Sequence, residues 1–179
     1  MTKAKQAKST GRLQGELKKR RPFDSLTEEA LLNLLRTASR LQLQIDRLFT
    51  QFGLTSTQYN ILRILRGQGT PLPMLEIADR LIAMVPGITG LVDRLEKAQL
   101  VQRERCQKDR RVVYVAATEK ALKLLAQIDA PLRRLHESIM RPLDQREQRQ
   151  LVQFMERLRA VAGEASDADD SGQGEADAG

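Results

Sequence analysis

The chain has 179 residues, 41% hydrophobic and 30% charged, with 30 Lys and Arg against 23 Asp and Glu for a formal charge of +7. That length suits one domain, or at most two small ones, with a core that needs no disulfides. One Cys (Cys106) and one His (His136) exclude a disulfide framework, a thiolate-rich zinc site and most histidine chemistry, and 3% aromatics argue against a base-stacking surface for single strands.

The first 21 residues carry a charge of +7 and end in the run Lys18-Lys19-Arg20-Arg21. Without apolar periodicity, residues 1–24 read as a disordered basic arm, either simply solvated or drawn to a polyanion. Ser25 and Glu28 then form a capping-box start for a long helix, whose apolar stripe runs through Leu31, Leu34, Leu35, Ala38, Leu41, Ile45, Leu48, Phe49 and Phe52, and Gly53 stops it. Thr55 and Gln58 open a shorter helix bearing Tyr59, Ile61, Leu62, Ile64 and Leu65, which ends at Gly67-Gln68-Gly69. Pro71 and Pro73 call for an extended connection.

A third helix over 74–82, with Leu75, Ala78, Leu81 and Ile82 inward, is separated by a short break from a fourth that opens at Pro86 and buries Ile88, Leu91, Val92 and Leu95. Two short helices so joined have the helix-turn-helix pattern. Directly after them, 100–105 and 111–116 read as strands around the polar turn 106–110, which makes a β-hairpin wing of net charge +3 across residues 100–112. Thr118 caps the next helix, with Leu122, Leu125, Ile128, Leu132, Leu135 and Ile139 in helical spacing and a kink expected at Pro131. Asp144 and Glu147 cap the last, which carries Leu151, Val152, Phe154, Met155, Leu158 and Val161. Residues 163–179, with a charge of −6, read as a disordered acidic tail.

The fold class expected is mainly α with a small β-hairpin wing: a winged helix-turn-helix lobe over about 55–118 and a helical dimerisation region over about 25–53 and 122–162. The outer helices carry apolar stripes too wide for a small winged lobe to cover, so a second identical chain is the expected partner. A two-fold dimer would set two recognition helices about 34–36 Å apart on one face of double-stranded DNA, on a palindromic site.

Within that lobe, helix N-termini near Ser56 and Thr57 and at Pro86 and Gly87 offer unpaired amides to phosphates. Thr89, Gly90 and Arg94 lie on or near the exposed side of the fourth helix, where Arg is the usual reader of guanine; pairing of Arg94 with Asp93, Glu96 or the wing is the alternative. In the wing, Arg105, Lys108, Arg110 and Arg111 form a cationic tip suited to phosphates and a narrow minor groove, with Asp109 expected to brace an Arg by a bidentate pair. A solvated charged tip is the plainer reading.

The stretch Ile88-Thr-Gly-Leu-Val-Asp-Arg-Leu-Glu-Lys, followed by Leu100-Val101, Asp109-Arg110-Arg111 and Thr118-Glu119-Lys120, resembles the MarR family of winged helix-turn-helix transcriptional regulators across about residues 25–162. The resemblance implies a triangular, mainly helical homodimer, a recognition helix around Thr89 and a wing Asp-x-Arg on Asp109 and Arg111. It also implies, for many members, repression relieved by a small phenolic or lipophilic effector. This chain has Gln99 and Ala121 where the family often has Gly, and Val85-Pro86-Gly87 where polar residues commonly open the recognition helix, which shifts phosphate contact there to backbone amides.

Cys106 reads as an inert exposed thiol, since a sensor needs a resolving partner, and His136 as a surface or interface histidine. No nucleophile and base are grouped in sequence, and no metal-ligand spacing or Gly-rich phosphate loop occurs, so neither an enzyme nor a cofactor is expected. With no membrane-length apolar run or signal sequence, a cytoplasmic, membrane-free protein is expected. The reading is a homodimeric DNA-binding regulator, in the first instance a repressor. The alternatives are a MarR-type activator without ligand control, or a helical interaction protein that uses its charged hairpin on other proteins.

Overall fold

The computed structural model describes residues 12–82, 87–106, 108–109 and 111–171, with side chains to residue 161. Its first element corrects an expectation. The segment before residue 25 contains a short helix, α1 (Leu13–Glu16), with Leu13 and Phe23 buried, where a disordered arm was expected over residues 1–24. Long-range pairs that charge patterning cannot reveal hold it to the next helix, α2 (Leu26–Thr50): Glu16 accepts from Arg40 at 2.9 Å, and Lys19 donates to Glu28 at 2.9 Å while lying over the Phe23 ring. Ser25 accepts from the Glu28 amide, but the Glu28 carboxylate takes the Asp24 amide at 2.7 Å, so only half of the capping box forms.

The box at α3 (Ser56–Gln68) is complete, with Thr55 and Gln58 bonding each other's backbone at 3.2 and 2.9 Å. Gly69 ends the helix in the left-handed region, at φ 73°. The proline-flanked connection then adds what the sequence pattern did not show, an edge strand β1 (Leu72–Pro73). The third helix is shorter than expected, α4 (Met74–Asp79), and the fourth is α5 (Ile88–Lys97). The wing strands are β2 (Val101–Arg105) and β3 (Val113–Ala117), and the sheet order is β1-β3-β2, antiparallel throughout. Arg103 faces Val115 across the hairpin and Leu72 faces Val115 from the other side, so the wing is rooted in the lobe rather than hanging from it. Next come α6 (Glu119–Met140), unbroken through Pro131, and α7 (Gln145–Ser171). The backbone of α7 is thus helical into the segment expected to be a disordered acidic tail.

The chain divides into two compact units, one ending at Arg133 and one beginning at Arg134. In the first, Ile61, Leu62, Ile77, Val92, Leu95, Val115, Leu125 and Ile128 are wholly buried in a core shared by α3, α4, α5, the sheet and the start of α6. Only the last turns of α2, through Ile45 and Phe49, and the turn after it, through Phe52, reach that core, with Phe49 stacked on Tyr59 at 4.2 Å. Earlier on α2, Leu31 and Leu35 are 55% and 56% exposed. Arg66 of α3 grips Asp129 of α6 through two bonds of 2.9 Å, the planar fork matching both carboxylate oxygens. In the second unit, Asp144 and Glu147 form a full capping box at 2.8 Å, and Val152, Phe154, Leu158 and Val161 of α7 are each more than half exposed.

Candidate nucleic-acid interface

The helical period sends Ile88, Leu91, Val92 and Leu95 of α5 inward and leaves Thr89, Gly90, Arg94 and Lys97 on its outer side. Gly87 is the N-cap at φ 79°, a left-handed conformation that glycine adopts without strain, and it donates no side-chain cap to the helix. Thr89 is exposed, with its hydroxyl 3.6 Å from Met74 Sδ on α4, which ties the two helices of the helix-turn-helix.

The wing is fixed against this helix by a residue that sequence reasoning counted only as charge. Strand alternation puts Arg103 on the same face of β2 as buried Val101, towards α5. There its Nη2 donates to Asp93 Oδ1 and, at 3.4 Å, to the Thr89 carbonyl, while its Nε lies 3.5 Å from Glu96 Oε2. One guanidinium thus takes both acids of α5. The consequence falls on Arg94: the alternative that it pairs with Asp93, Glu96 or the wing does not hold, and among the described residues it is exposed with no ion-pair partner. The signal was present in the sequence as the parity of Arg103 with Val101, but its partners lie across a tertiary contact.

At the tip, Asp109 shapes the turn: its Oδ1 accepts from the Arg111 amide at 2.9 Å and its carbonyl accepts from Val112 at 3.0 Å, and among the described residues no guanidinium forms the bidentate pair expected with it. Cys106 donates its amide to the Val112 carbonyl at 3.0 Å and closes the hairpin below the turn. Arg105, Lys108 and Arg111 are exposed and, among the described residues, have no acidic partner. Pro86 and Arg110 lie outside the described residues.

The C-terminal end of α5 is held as firmly as its wing side. Gln99 takes the left-handed conformation at φ 61° that glycine would adopt freely, and the carbonyls it leaves are satisfied from the start of α6: Lys120 Nζ donates to Ala98 at 2.8 Å and Thr118 Oγ1 to Gln99 at 2.8 Å. The Thr118-Glu119-Lys120 motif therefore secures the C-terminal end of α5, with a cation at the negative end of its dipole.

At α3, Ser56 is committed elsewhere. Its hydroxyl donates to Asp46 of α2 and accepts from Gln42 at 3.1 Å, which leaves this side chain no free hydrogen bond for a phosphate. Thr57 is half-buried in the first turn. The structure therefore brings Gly87, Thr89, Gly90, Arg94, Arg105, Lys108, Asp109 and Arg111 into one locked assembly of α5 and wing, and it ties Ser56 to α2. Among the described residues no group of three His, Cys, Asp or Glu could hold a metal, and no helix is long and apolar enough to cross a membrane.

Known proteins are similar to this chain in sequence and fold. A protein-family model described as the MarR family matches residues 54–113. The HTH-type transcriptional regulator FarR of Neisseria gonorrhoeae is 32% identical over 60% of this chain and 73% of its own. The crystal structure of a MarR transcription factor from Planctomyces limnophilus is 44% identical, with a TM-score of 0.60 over 75% of this chain and 98% of its own. The fold is also that of an organohalide-sensing regulator in its 2,4-dichlorophenol-bound form, which is 18% identical with a TM-score of 0.71 over 80% of this chain and 87% of that one. A helix-turn-helix with a rooted basic wing, matched both by the family model and by FarR over most of its length, leads to one conclusion: the chain belongs to the MarR family of DNA-binding transcriptional regulators, and it is not an enzyme.

Proposed function

We propose that this chain acts as a homodimer on a palindromic operator in double-stranded DNA and represses transcription there. The observation that carries the reading is the Arg103 clamp. By taking both acids of α5 it makes helix and wing one rigid reader and leaves Arg94, Arg105, Lys108 and Arg111 unneutralised for DNA. Arg94 suits a guanine in the major groove and Arg111, with Arg105 and Lys108, the backbone or minor groove beside it. Gly87 and the opening turn of α3 at Ser56 and Thr57 offer backbone amides to phosphates, a role in which the Ser56 hydroxyl takes no part.

Dimerisation is supported by the apolar face that α2 leaves open at Leu31 and Leu35, since a water-facing helix does not carry such a stripe for its own stability. A small apolar or phenolic effector that lowers operator affinity fits the company of folds that includes the 2,4-dichlorophenol-bound regulator. The test is duplex affinity against salt for wild type and Arg111→Ala. A steep linear fall of log K with log salt is expected, its slope reduced by about 1 in the variant, with the dimer intact by sedimentation. A flat response in the wild type would instead favour a protein-binding hairpin.

A further inference from the structure

Gly90 stands in the first turn of α5, and no described protein atom lies within 4 Å of where a Cβ would project. Its φ is not positive, unlike that of Gly87, so backbone conformation does not ask for a glycine either. In helical geometry glycine is less favourable than alanine, because more chain freedom is lost and nothing is packed in return. Among the described residues the missing Cβ is therefore an uncompensated loss.

Its surroundings say where the compensation lies. Helical spacing sets Gly90 one turn from Arg94 on the same outer face, next to the edge formed by Thr89, Asp93 and Glu96 that Arg103 binds to the wing. That face is a bare stretch of backbone followed by an exposed guanidinium whose neighbouring acids are already taken.

We propose that Gly90 is a specificity-determining position: its missing Cβ lets α5 sit deep enough for a thymine C5-methyl to pack against the helix backbone, one turn from the base pair that Arg94 reads. The inference rests on the operator-binding role proposed above and deepens it, from a helix in the groove to a stated base at a stated position. Apolar contact with the thymine methyl is one of the few features that separate A·T from G·C pairs and T·A from A·T in the major groove. A Cβ at residue 90 would occupy that space and push the helix axis outward.

The full chain and its Gly90→Ala and Arg94→Ala variants are each used to select duplexes from a random pool, with unfolding midpoints and salt slopes measured alongside. Gly90→Ala is expected to keep or raise the midpoint, to keep the salt slope, to lose affinity for the wild-type duplex on the order of tenfold, and to lose a thymine preference at one position of each half-site. Arg94→Ala should lose a neighbouring guanine instead. Unchanged affinity and unchanged selection in Gly90→Ala would overturn the proposal, and so would a lowered midpoint, which would give the glycine a role inside the protomer. A wild-type chain that selects no sequence overturns the operator-binding reading along with it, whereas a selected site that Gly90→Ala retains overturns this inference alone.

Discussion

Arg103 sits where three demands meet: it is on the buried parity of a strand, it faces two carboxylates, and its side chain is only 21% exposed. Deleting it leaves Asp93 and Glu96 beside the recognition surface with their negative charge restored, next to where a phosphate or base edge must come. Arg103→Ala should therefore cost about 1–2 kcal/mol of stability, discounted because the acids are half exposed, yet lower operator affinity by more than that loss explains. Arg103→Lys should not restore binding, since an ammonium cannot reach two acids and a carbonyl with one planar fork. Unfolding curves and duplex titrations on the same samples separate the two effects. Gln99 is the opposite case, a residue whose backbone conformation is strained and whose side chain makes no hydrogen bond among the described residues. Gln99→Gly should raise stability by about 1 kcal/mol, with operator affinity unchanged, because the Lys120 and Thr118 bonds to this end of α5 involve only backbone carbonyls of residues 98 and 99.

At the scale of elements, the helices were legible because their signals are local. The boxes at Thr55–Gln58 and Asp144–Glu147 and the stripe of α5 each lie within one or two turns, and all three appear in the structure. The wing was legible from two β-rich runs around a polar turn. What escaped is non-local. The strand β1 is two residues long and includes a proline, so it has no alternation to read and exists because β3 offers it an edge. The N-terminal segment looked like a solvated charge run because its partners Glu28 and Arg40 are nine and 24 residues from theirs, Lys19 and Glu16. That segment carries a pH dependence. The Lys19 ammonium, and after it the Asp24 amide, hold the Glu28 carboxyl below its ordinary value. A carboxylate with a lowered folded value contributes stability that is full above the unfolded value of about 4.3 and is lost as pH falls through the lowered folded one. Amide exchange of residues 13–23, corrected for intrinsic rates, should accelerate over that acid window while the α3 core stays protected. Glu28→Gln should bring faster tryptic cleavage after Arg20 already at neutral pH. Equal protection of the segment at neutral and acid pH would contradict the account.

For the whole molecule, the charge that matters is not the total. The +7 of the sequence counts an N-terminal run in which Lys19 is spent on Glu28, and a wing in which Arg103 is spent on α5. What remains for DNA on the described part of the lobe is a short set, Arg94 and Lys97 on α5 and Arg105, Lys108 and Arg111 on the wing, held in one frame by the Arg103 clamp, together with Arg63 on α3, which bonds only the neutral Asn60. The sequence pattern placed nearly all of these residues on the right elements, since position along a helix or hairpin is local information. It could not tell which cations were free, since that is decided by pairs between elements. The same limit applies to assembly: the stripe at Leu31 and Leu35 is readable and is exposed in the protomer, but the copy that would cover it belongs to the proposal. The most direct test of that proposal is footprinting on duplexes selected by the full chain from a random pool. The account predicts two protected half-sites of inverted sequence, centred about one helical turn, 34–36 Å, apart, with protection lost in step at both as salt rises. A single asymmetric footprint, or a selected pool with no common sequence, would contradict it.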